Sequence, residues 1–101
     1  MDATLNPGAR QPGPALMLPE VLDLRAAAPL AAELTARRGL DTELDASRVR
    51  KLGGQCLQVL LSAHACWQAE GRRFLVVAPS SDFTEGMALL GASSLLPTFG
   101  A

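Results

Sequence analysis

The stretch "RRFLVVAPSSDFTEGMALLG" (Arg72–Gly91) decides the fold. Phe74 to Val77 is continuously apolar, the pattern of a central strand covered on both faces rather than one half open to water. The segment after it predicts a short helix. Ser81 or Asp82 can cap that helix, Glu85 lies three residues after Asp82 as in a capping box, and Gly91 follows Leu90 at its end.

Working outward, the residues before this pair repeat the alternation twice. From Gln55 to Ala69, Leu57, Leu60, Leu61 and Ala65 recur at helical spacing, and Gly71 ends the run. Ahead of it, "DTELDAS" places Thr42 and Leu44 between charged neighbours, which predicts a strand leading into a loop at Ala46 and Ser47. In "AAAPLAAELTARRG", Pro29 suits a first helical turn, Leu30, Leu34 and Arg37 follow the helical period, and Gly39 suits a left-handed stop. Ala15 to Leu18 reads as a first strand stopped by Pro19. The order strand, helix, strand, helix, strand, helix predicts an α/β domain with mainly parallel pairing and right-handed crossovers.

A chain of 101 residues holds one domain, and 49% apolar residues are ample for one core. The Pro- and Gly-rich residues 1–14 are expected as a flexible arm or edge, residues 15–95 as the domain, and 96–101 as a tail that packs little. Nine basic residues against ten acidic ones, scattered along the chain, leave no electrostatic footprint for nucleic acid. No apolar stretch has the length of a membrane span, so a cytoplasmic protein without membrane insertion is the expectation. Cys56 and Cys66 fall in one predicted helix about 15 Å apart, too far for a disulfide, and both read as small buried hydrophobes.

Candidate chemistry is sparse. His64 is the sole histidine and lies beside the apolar stripe, where a packed side chain is the simpler reading than a catalytic base. Asp41 and Asp45 flank one strand about 13 Å apart, too far to share acid and base roles; Asp41 reads as solvated surface, whereas Asp45 ends its strand where α/β sheets gather ligands and partners. Gly53 and Gly54 directly precede a helix. Read alone, they either cradle an anion with free N–H groups or form a tight turn with φ > 0. A nucleotide-binding enzyme would need Asp45, Ser47 and these amides around a phosphate, with Lys51 in reach, but no base, metal ligand or phosphate-contacting lysine is arranged for turnover.

"LDASRVRKLGGQCLQVLLSAHACWQAEGRRFLVVAPSSDFTEGMALLG" resembles the STAS domain of anti-sigma factor antagonists and related small bacterial regulators. Asp45 and Ser47 match that family's Asp-x-Ser, Leu57 the leucine after its Asp-Ser-x-Gly-Leu site, and Pro79, Ser80, Leu89, Leu90 and Gly91 its last segment. "LPEVLDLRAAAPLAAEL" is similar to its first crossover, so the resemblance runs from Leu18 to Gly91.

The resemblance implies a small mixed sheet of about four strands, helices mainly on one face, no enzymatic activity, no cofactor and no metal. It implies a partner surface at Asp45, Ser47, Lys51, Gly53, Gly54, Gln55, Leu57 and Gln58. It also carries a departure: Gly53 stands at the family's aspartate and Gly54 at its phosphorylated serine or threonine, so the usual phosphosite has no hydroxyl. Ser47 and Ser62 are weak substitutes. The compact motif style resembles chemotaxis-associated members, which implies a histidine kinase or a kinase-like regulator as partner. Another branch it resembles is the STAS subunit of a bacterial lipid-transport ABC system.

Overall fold

A computed structural model describes residues 15–100. The stretch 1–14, expected as an arm, lies outside the described residues, as does Ala101. In chain order the elements are β1 (Leu16–Met17), β2 (Val21–Leu22), α1 (Leu24–Thr35), β3 (Thr42–Asp45), β4 (Lys51–Leu52), α2 (Gly54–Ala69), β5 (Phe74–Val77), α3 (Ser81–Leu89) and β6 (Thr98–Phe99). The main sheet has the order β1-β3-β5-β6. Its register sets Leu44 beside Leu16 and Val76, and Asp45 beside Met17 and Val77.

Every pairing among the described strands is parallel, where a mixed sheet was expected. The connections explain it: each pair of neighbouring strands is joined through a helix, which returns the chain to the same edge of departure. A second, two-stranded ladder joins β2 to β4. The first strand stops before Pro19, as expected, and Pro19 and Glu20 separate β1 from β2.

Alternation in β3 and β5 buries Thr42, Leu44, Phe74 and Val76 and leaves Glu43, Asp45, Leu75 and Val77 half-buried. The buried Thr42 hydroxyl is not stranded, because it donates to the Leu40 carbonyl at 2.9 Å and accepts from the Trp67 indole at 3.2 Å. Trp67 also donates to the Leu40 carbonyl at 2.7 Å and packs on Phe74 with ring centroids 5.5 Å apart. One side chain thus joins α2, β5 and the turn before β3.

Helix boundaries follow side chains that periodicity does not report. α1 starts at Leu24, five residues before Pro29, because the Asp23 carboxylate accepts the N–H groups of Arg25 and Ala26 at 3.0 and 3.3 Å. Pro29 is then inside the helix, not in its first turn. Its ring lies on the solvent face, and the carbonyl it fails to serve belongs to exposed Arg25, which water reaches. In α3 the cap is Ser80, not Ser81 or Asp82: its Oγ accepts the Phe83 N–H at 3.0 Å.

On α2 the buried face is Cys56, Leu57, Leu60, Ala63 and Trp67; Ala65, expected on that face, is exposed. Cys56 is buried as expected, while Cys66 is only half-buried. The expected tail is also structural, since Thr98–Phe99 pairs with the free edge of β5 and Leu96 enters the core. Gly39 and Gly91 do take the left-handed conformation, at φ +87° and +73°.

Candidate functional site

The site grows from the end of β3. Asp45 turns its carboxylate back to accept the Ser47 N–H at 2.8 Å, closing an Asx turn as the chain leaves the strand. Ser47, through its hydroxyl and its amide, holds the Asp45 carboxyl below the usual carboxylate range, with a smaller contribution from the Arg48 charge. Asp45 is thus a turn-maker first, and Ser47 is an exposed residue whose amide is already engaged.

Beyond the turn the loop is anchored twice. Buried Val49 presents its carbonyl to the Ser80 hydroxyl at 2.6 Å, and the Arg50 and Lys51 N–H groups share the Glu20 carbonyl at 2.7 and 3.2 Å. Lys51 and Leu52 then pair with β2, so the approach to α2 is held by backbone on its inner side. The Lys51 side chain is exposed.

The two glycines occupy different environments. Gly53 donates its N–H to the Leu22 carbonyl at 2.8 Å, and a Cβ there would stand 3.2 Å from that oxygen and 3.8 Å from the Asp23 Cα. At Gly54 a Cβ would meet nothing within 4 Å. Neither glycine has positive φ, so the tight-turn expectation fails: Gly53 is extended at φ −97°, ψ 165°, and Gly54 is helical. What glycine supplies here is a close approach at Gly53, where a Cβ would press on the Leu22 carbonyl, and not a left-handed backbone.

No side chain caps α2. Its first N–H groups and positive dipole end therefore face outward at Gly54 and Gln55, both exposed, with Gln58 one turn further on. Leu57, expected at the docking surface, is 5% exposed and belongs to the core. The helical period explains this, since Leu57 shares a face with Leu60 while Gln58 is turned out. Ser62 is exposed eight residues after Gly54, about 12 Å along the axis, too far to replace a hydroxyl at the helix start.

Residues missed in the sequence complete the corner. Asp23, the α1 cap, presents its backbone carbonyl to the Cys56 thiol at 3.2 Å, so the N-termini of α1 and α2 stand side by side. Burial, then the nearby Asp23 charge, pushes the Cys56 thiol up. Leu24 follows at 71% exposure. An Asp directly before "LRAAA" was the available signal. Asp41 is not simply solvated; it accepts the Arg73 N–H at 2.8 Å and fixes the start of the β3–β5 pair. His64 packs beside Phe74 at 5.8 Å with its Nδ1 buried and unpartnered. Among the described residues no group of three or more His, Cys, Asp or Glu could hold a metal ion, and no helix is long and apolar enough to cross a membrane.

This topology agrees with what known proteins show. Residues 8–97 match the family described as Mlab, STAS domain. The chain belongs to the STAS family. A solved structure of a Thermotoga maritima protein proposed to be an anti-sigma factor antagonist is similar to this STAS domain with a TM-score of 0.70. The two share 15% sequence identity over 84% of this chain and 78% of that one, which shows a common fold. No curated protein matches the sequence.

Proposed function

We propose that this STAS domain is a non-enzymatic regulator that docks on another protein through the open N-terminal corner of α2, and that phosphorylation at the family position does not switch it. The observation that carries the reading is Gly54: exposed, at the bare start of a helix, with open space where a side chain would project and no hydroxyl to modify. Exposed Gln55, Gln58 and Lys51 border it with hydrogen-bonding groups and a single cation. A missing acceptor makes the corner a constant surface. The partner in this reading is a histidine kinase or a kinase-like regulator of bacterial signalling, chemotaxis included, met in the cytoplasm.

The test is capture of the partner by a tagged copy, repeated with Gly54→Glu, which places a negative charge at the corner as phosphate would. Capture of a kinase or kinase-like regulator that Gly54→Glu abolishes supports the reading; the same capture by both proteins removes the corner from the interface. Recovery of an ABC ATPase would reassign the partner to lipid transport and leave the corner in place. An absence of thermal stabilisation by millimolar ATP or GTP with magnesium counts against a nucleotide site, because a ligand that binds only the folded state must raise its stability.

A further inference from the structure

We draw no further inference here: the strongest candidate, the open groove of about 350 Å³ between α1 and α2, a helix with no Asp, Glu, Lys or Arg, is floored by the buried Leu34, Ala63 and Trp67, and nothing in the structure shows what covers it.

Discussion

Two helix starts in this domain are built in opposite ways. At α3, Ser80 accepts the Phe83 N–H, donates its hydroxyl to Val49 and its amide to Ala46, so the helix end closes on its own chain. At α2, Gly53 joins its amide to Leu22 and offers no side chain, and the helix end opens to solvent. The difference follows from what each helix has besides its cap. α2 buries Cys56, Leu57, Leu60, Ala63 and Trp67, whereas α3 buries Phe83 and Met87. A longer helix with a large buried face is held by packing and leaves its end available; a short one depends on its first turn.

The contrast breaks most visibly at Gly86, where α3 lies so close to β4 that a Cβ would stand 2.9 Å from the Leu52 Cβ. Gly86→Val should destabilise by about 3 kcal/mol in urea unfolding, since overpacking forces the helix off the strand. An unaltered midpoint would mean that α3 is not clamped. Ser80→Ala comes next, at about 1–2 kcal/mol, from loss of the cap and of the bond to Val49.

Gly54→Asp runs the other way. With open space at that position and a carboxylate beside the helix dipole, stability should rise by about 0.3–1 kcal/mol while partner capture falls. A loss of stability would show that the α2 start is not open, and the comparison with α3 would fail.

The smallest effect is at Asp45. Its folded carboxyl titrates below the ordinary value of about 3.9, so its stabilisation is complete above that value and is lost as pH falls through the lower folded one. The gap in urea midpoint between wild type and Asp45→Asn should be present at pH 7 and shrink near pH 3. A pH-independent gap would remove the charge from the account of the Ser47 turn.

Much of this was legible in the residues. The apolar run at Phe74–Val77, the alternation at Thr42–Asp45 and the leucine spacing after Gly54 are local patterns, and the three elements form where they point. The caps were less legible: Ser80, Ser81 and Asp82 are all competent, and which one caps depends on which oxygen the fold brings to the Phe83 amide. The β2–β4 ladder and β6 are two residues long each, too short for any period, and exist because β5 and the Gly53 approach offered unpaired backbone. The family resemblance implies Leu57 in the partner surface, while the helical period, equally legible in the residues, turns it inward.

By itself the sequence determined the alternating α/β order, the lack of a hydroxyl at Gly54 and the charge-free run of α2, because each is a matter of residue identity or local spacing. Only the tertiary structure decided that Gly53 lies tight against the Leu22 carbonyl while Gly54 is free, that Asp23 stands beside the α2 start, and that α1 and α2 part enough to leave a groove. Those facts are distances between segments far apart in the chain, and such distances are set by packing of the whole core rather than by any one stretch.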